Sequence, residues 1–182
     1  MLASEIKNLM KYFPNNNLIC EKAGTIISGV KSLEILNVDS STYAILSGLN
    51  LPIEIRFVRP VGSNVQIIMY NPQTLNELLL SDNRINYLRE LSYPEHYYLE
   101  SYINTLIENI NSSKTFPHEI GFFIGYTMKD VLAYMGIEDS PYVKTLGWNM
   151  YGDTTESEKL YYKILDVKNQ IKFILNCTTM SA

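Results

Sequence analysis

Ile53-Glu54-Ile55-Arg56-Phe57-Val58, a break through Arg59-Pro60-Val61-Gly62-Ser63-Asn64, and Val65-Gln66-Ile67-Ile68-Met69-Tyr70 form the stretch on which the fold turns. From Ile53 to Phe57 apolar and charged residues alternate strictly. That is the period of a strand with one buried face, and it sends Glu54 and Arg56 away from the core. Val65 to Tyr70 is rich in β-branched and aromatic residues, which suits a second strand, and the Gly62-containing segment between the two reads as a turn. Upstream, Thr42 to Ser47 has the same character and is set off by Gly48-Leu49-Asn50. Three strands in an antiparallel meander are therefore predicted.

Outward from these strands the period changes to that of helices. Ser4 to Phe13 carries Ile6, Leu9, Met10 and Phe13 on one face and is closed by Pro14. Leu18 to Leu36, interrupted by Gly24 and Gly29, reads as loop with a short helix. After Tyr70, Asn71 caps and Pro72 opens a helix with Leu75, Leu78 and Leu79 as its stripe. Asp82 caps another with Ile85 and Leu88. Beyond Pro94 a third holds Leu99, Tyr102, Ile103, Leu106 and Ile110 at three-to-four spacing. Thr127 caps a helix whose stripe is Met128, Val131, Leu132 and Met135, with Lys129 and Asp130 off that stripe and Gly136 at its end. Trp148-Asn149-Met150-Tyr151 reads equally as a short edge strand or as a loop over a pocket. Thr155 and Glu158 form a capping box for the last helix, with Leu160, Ile164, Val167, Ile171 and Ile174 facing the core. The expected architecture is α+β, a small antiparallel sheet packed with helices in a single domain covering residues 1–182.

With 182 residues, 46% of them hydrophobic, one substantial core is expected. A net charge of −4 supplies no basic field for nucleic acid or an anionic membrane surface. The start lacks the basic region and apolar core of a secretory signal, and no apolar run reaches the length of a membrane span, so a cytoplasmic protein is expected. Cys20 and Cys177 form no CxxC pair and read as reduced thiols. No dinucleotide fingerprint, phosphate-binding loop or Gly-x-Ser-x-Gly elbow occurs. With two histidines and two distant cysteines, ligands for a structural metal are scarce.

Chemistry concentrates in Phe116-Pro117-His118-Glu119-Ile120-Gly121-Phe122-Phe123-Ile124-Gly125-Tyr126. Pro117 suits the first position of a helix, placing an imidazole and a carboxylate side by side in its first turn, and both can move protons. The competing reading makes His118 a cap or a surface group. Gly121 permits close approach and Gly125 a left-handed helix end. His96, in Tyr93-Pro94-Glu95-His96-Tyr97-Tyr98, is either an axial ligand for haem or a surface histidine. Fourteen tyrosines supply rings for a pocket or for the edge of the core.

The central stretch together with Lys129-Asp130-Val131 resembles the Pro/Ser-His-Glu-Ile-Gly…Gly-Tyr…Glu-Asp-Val signature of a family of small proteins from anaerobic bacteria, domain of unknown function 3793. Lys31-Ser32-Leu33, Met69-Tyr70 with Leu75 and Leu79, and Gly147-Trp148-Asn149-Met150-Tyr151-Gly152-Asp153 extend the likeness over most of the chain. Members resemble neighbours of flavodoxins and haem-uptake systems, one of them similar to a flavodoxin-dependent reductase of the linear tetrapyrrole left by anaerobic haem opening. The resemblance implies a reductase of a linear tetrapyrrole, or a non-enzymatic carrier of haem or its product, or a structural partner of a redox enzyme. With no phosphate-binding Gly loop and too few thiolates for an iron–sulfur cluster, no tightly bound cofactor is expected, and electrons would come from an external flavodoxin. On that reading His118 and Glu119 supply protons. Tyr70, Tyr126, Trp148 and Tyr151 wall the ring system, and Lys31, Arg56 and Arg59 meet carboxylates.

Overall fold

The computed structural model describes residues 2–113 and 115–179, except the side chains of the last two. Its described residues form an α+β protein that divides into two compact units. One runs to Asn71 and resumes at Tyr162, and the other is Pro72–Tyr161.

In the first unit β1 (Leu33–Asp39), β2 (Glu54–Val61) and β3 (Asn64–Tyr70) form an antiparallel sheet in the order β1-β3-β2. Leu33 pairs with Tyr70 and Asp39 with Asn64 on one side of β3, and Glu54 pairs with Tyr70 on the other. As the central strand, β3 buries every residue from Ile67 to Tyr70. The helices α1 (Leu2–Tyr12), α2 (Asn17–Ile27) and α3 (Ser40–Gly48) belong with this sheet. So does most of α9 (Thr155–Thr179), which brings Ile171 and Leu175 to a core shared with Ile6, Leu9, Ile26, Leu46, Ile67 and Met69.

Four expectations fail here for identifiable reasons. Leu18 to Leu36 is a full helix followed by a strand. Gly24 does not break the helix, because a Cβ there would stand 2.7 Å from Ile6 Cδ1 and Ile171 Cδ1, and its bare backbone is what lets those side chains close on it. Thr42 to Ser47 is helical, not extended. The Asp39 carboxylate ends β1 and caps α3, accepting from the Thr42 amide at 2.8 Å, the Thr42 hydroxyl at 2.7 Å and the Ser41 hydroxyl. These bonds, that of Ser41 first, hold the Asp39 carboxyl well below the usual range. Thr42 and Leu46 then bury with helical spacing. The third strand of the sheet is therefore β1, and the order is not that of a meander. Arg59 to Val61 extends β2, leaving Gly62 and Ser63 as the turn, and Pro60 is tolerated because β2 is an edge strand. The register shifts between Phe57 and Arg59, and the strict alternation ends at that bulge. Phe57 is 44% exposed against the Tyr43 ring, while Val58 is buried.

The second unit contains α4 (Pro72–Leu79), α5 (Arg84–Glu90), α6 (Leu99–Ser112), α7 (Ile120–Ile124), α8 (Met128–Tyr134) and a hairpin of β4 (Tyr142–Leu146) with β5 (Trp148–Tyr151). Of the expected stripes Leu75, Leu79, Leu88, Tyr102, Ile103, Leu106, Ile110, Val131 and Leu132 are buried, and Leu78, Ile85, Leu99, Met128 and Met135 are half-buried at their borders. Three start signals shift by a residue or change partner. Asn83, in the left-handed region, replaces Asp82 ahead of α5 and makes no side-chain cap. The Thr127 hydroxyl engages Ser157 instead of capping α8. Asp153 accepts from the Thr155 amide and hydroxyl, and the Thr154 hydroxyl reaches Glu158 at 2.5 Å, so the start of α9 is capped by Asp153 and Glu158 binds Thr154 in place of the expected box with Thr155.

Candidate functional site

The helix expected to start at Pro117 is regular only from Ile120. Before it the chain makes tight turns in which the Gly121 amide bonds the His118 carbonyl and the Phe122 amide the Glu119 carbonyl, at 3.1 and 2.9 Å. Such a turn sends neighbouring side chains in different directions. Glu119 is 9% exposed, and its Oε1 accepts from Asn109 Nδ2 of α6 at 3.0 Å and from the Tyr93 hydroxyl at 3.4 Å. Burial, then the charge of Glu119, pushes the Tyr93 hydroxyl up, which keeps it a donor. His118 is exposed, with its ring edge-on to Tyr134 of α8 at 5.0 Å between centroids.

His118 opens on a cleft of about 370 Å³, lined among others by Phe116, Ile120, Tyr126, Val131, Tyr134 and Trp148. Its floor depends on Gly121, where a Cβ would lie 2.8 Å from Val131 Cγ2. Its strongest wall is a stack: the Tyr126 and Trp148 rings lie 4.5 Å apart and 17° from parallel. Arg84 fixes the approach to that wall, donating to the carbonyls of Phe122 at 3.3 Å and Tyr126 at 3.1 Å, where α7 ends at Gly125. Burial brings the Arg84 pKa down to about 10, so it is still a cation at neutral pH.

The indole nitrogen of Trp148 donates to Asp130 Oδ2 at 2.8 Å. Asp130, expected off the buried stripe of α8, is 2% exposed. It takes three further donors: Ser157 Oγ at 2.5 Å, Lys129 Nζ at 2.6 Å and the Tyr151 amide at 3.0 Å. Burial alone would raise its pKa, but the bonds from Lys129, Ser157, Trp148 and Tyr151 outweigh it and hold the carboxyl below its usual range. Lys129 Nζ also donates to the Tyr151 carbonyl at 2.8 Å and to Ser157 at 3.2 Å.

Of the residues predicted from sequence, His118, Tyr126 and Trp148 come together on this cleft. Glu119 adjoins His118 in sequence but turns into the interior. Tyr151 sits at the end of β5 with its ring edge-on to Tyr142 at 6.0 Å, and is not among the lining residues. His96 is exposed between Pro94 and α6. Lys31, Arg56, Arg59 and Tyr70 belong to the first unit. There Lys31 pairs with the buried Glu34 at 2.7 Å, Arg59 Nε donates to Gln66 at 3.0 Å, Arg56 lies on the edge strand β2, and Tyr70 is 3% exposed at the end of β3. Sequence reasoning placed Lys129 and Asp130 off the stripe of α8 and within the family signature but gave them no role in the site, and it missed Ser157 and Tyr134. The available signals were an acid in the first turn of a short helix and a tyrosine four residues on, and neither points to an indole eighteen residues away.

Among the described residues no helix is long and apolar enough to cross a membrane, and no three of His, Cys, Asp and Glu gather as a metal site. The model of a family described as "Protein of unknown function (DUF3793)" matches residues 18–181. No curated protein and no solved structure matches the chain.

Proposed function

We propose that this chain, which belongs to the DUF3793 family, binds a linear tetrapyrrole in the cleft of its second unit and that His118 passes the ligand a proton as reduced flavodoxin supplies electrons. The observation that carries this reading is the sharing of one cleft by the Tyr126–Trp148 stack and an exposed imidazole. Aromatic faces bind flat conjugated molecules through stacking, and an imidazole can give and take protons. At about 370 Å³ the cleft is at the small end of the range for organic ligands. An extended tetrapyrrole thus lays part of its length in the cleft and leaves its propionates in water. Saturating one double bond consumes two electrons, one from each of two flavodoxin hydroquinones that leave as semiquinones. It also consumes two protons, one delivered by His118 and one by solvent. Glu119 serves by holding the turn that presents His118.

A specific observation favours carriage without turnover as the second reading. Both buried carboxylates near the cleft already have partners, Glu119 on Asn109 and Tyr93 and Asp130 on four donors, so neither carboxylate is held ready to give the ligand a proton. The test is an anaerobic titration with haem and with the opened tetrapyrrole, followed by addition of reduced flavodoxin. Spectral shift and fluorescence quenching followed by electron-dependent loss of the chromophore bands support the reductase. A shift with no bleaching supports the carrier, and no shift with either compound removes tetrapyrrole binding altogether.

A further inference from the structure

We propose that Asp130 is the positioning residue of the cleft: its carboxylate fixes the plane of the Trp148 indole against Tyr126, so that a flat ligand meets a wall already set. This rests on the reading of the cleft as a ligand site, and it goes beyond it by naming what gives the site its shape.

An indole has one hydrogen-bonding group, its N–H, and two side-chain torsions. Here one face of Trp148 stacks on Tyr126, the Tyr161 ring approaches at 6.4 Å and 61°, and the indole N–H, its one polar group, is fixed by Asp130 Oδ2, the one contact that sets the ring's rotation through a hydrogen bond. The carboxylate that holds it is itself held from three elements: Lys129 beside it on α8, Ser157 in the first turns of α9 and the Tyr151 amide on β5. Lys129 completes the arrangement by donating to the Tyr151 carbonyl, so the acid and the amine between them grip both backbone groups of the residue that ends the Trp148 strand. A buried ion pair is weak evidence of stabilisation, since desolvation offsets most of its attraction. What this one accomplishes is placement. A wall that needs no ordering when ligand arrives spares the entropy of immobilising a large side chain, worth about tenfold in affinity.

Trp148 is the chain's one tryptophan, so its signals are unambiguous. Asp130→Asn keeps the size of the side chain and offers one acceptor oxygen to four donors. In the ligand-free protein it should weaken the near-ultraviolet circular dichroism of the indole and raise quenching by acrylamide. Affinity for a linear tetrapyrrole should fall about tenfold in the otherwise native chain, and by less than about twofold in a Trp148→Phe background, where the indole N–H is already gone. Equal losses in both backgrounds, or an unchanged indole environment in the single variant, overturn the proposal. Should Asp130→Asn not fold, the native protein still decides. Its single indole N–H resonance should exchange slowly and respond to ligand, and exchange at the rate of free indole would refute the assignment. If the tetrapyrrole does not bind the native protein, the functional reading fails, while the ligand-free measurements still judge Asp130.

Discussion

The turn before α7 and the start of α8 each bury one carboxylate in the same unit, and they handle it in opposite ways. Glu119, 9% exposed, is met by two neutral donors, an amide and a phenol. Asp130, 2% exposed, is met by an ammonium, a hydroxyl, an indole and a backbone amide. The difference teaches where the energy of the site resides. A buried charge is tolerable when hydrogen bonds replace its water, and the better replaced it is, the more its removal disturbs.

The largest effect is therefore expected at Asp130. Asp130→Ala takes the acceptor from the Trp148 indole and the Tyr151 amide and one partner each from Ser157 and Lys129, which should cost about 3 kcal/mol. For a chain of this length that is a fall of about 6–12 °C in melting temperature. Glu119→Ala orphans only Asn109 Nδ2 and the Tyr93 hydroxyl and should cost about 1–2 kcal/mol. Thermal unfolding of both variants tests the comparison directly. It breaks if Glu119→Ala proves the more damaging.

How much of this was legible from residues alone follows from the same contrast. Stripes such as Leu75-Leu79 and Leu99 to Ile110 were readable because burial on one helix face imposes a period, and β3 was readable because a central strand is apolar on both faces. Thr42 to Ser47 was misread because β-branching favours a strand, whereas the structure is decided by one carboxylate, Asp39, whose cap overrides that preference. In the cleft, His118, Tyr126 and Trp148 were visible as residue types able to stack or exchange protons. Asp130 was not, because its importance comes from Trp148, Tyr151 and Ser157, which the chain brings to it from far along the sequence. Long-range polar convergence has no period to read.

Acid should sharpen the contrast, with a smaller effect. Hydrogen bonds hold the Asp130 pKa below the value near 3.9 of an unfolded aspartate. Its contribution is then fully present above that value and disappears as pH falls through the folded one. Urea unfolding at pH 7, 5, 4 and 3 should show the stability gap between native protein and Asp130→Asn narrowing below about pH 4. Some acid sensitivity should persist in the variant, since hydrogen bonds also lower Asp39, Asp153 and Glu158. A gap that stays constant down to pH 3 would show that the network does not depend on the charge of Asp130.

The smallest effect on stability, and the most informative about function, is expected at His118. Its ring is exposed and its one described contact is the edge-on approach to Tyr134, so nothing buried loses a partner when it changes. His118→Gln keeps polarity and approximate size and removes a side chain able to deliver a proton. Melting temperature should move by less than about 1 °C, as for a surface substitution. Tetrapyrrole affinity should remain within about threefold, since the Tyr126–Trp148 wall is intact. Under the reductase reading, the rate of chromophore loss with reduced flavodoxin should fall by about 10²- to 10⁴-fold, the scale of acid–base catalysis. Glu119→Gln, which retains an acceptor for Asn109, should leave that rate within a few-fold of the native one. If His118→Gln reduces the ligand at the native rate, the imidazole is outside the chemistry and solvent delivers both protons. If instead Glu119→Gln is the variant that stops turnover, the carboxylate turned inward reaches the ligand by way of its neighbour, and the division between a turn that works and a buried acid that merely supports it is wrong.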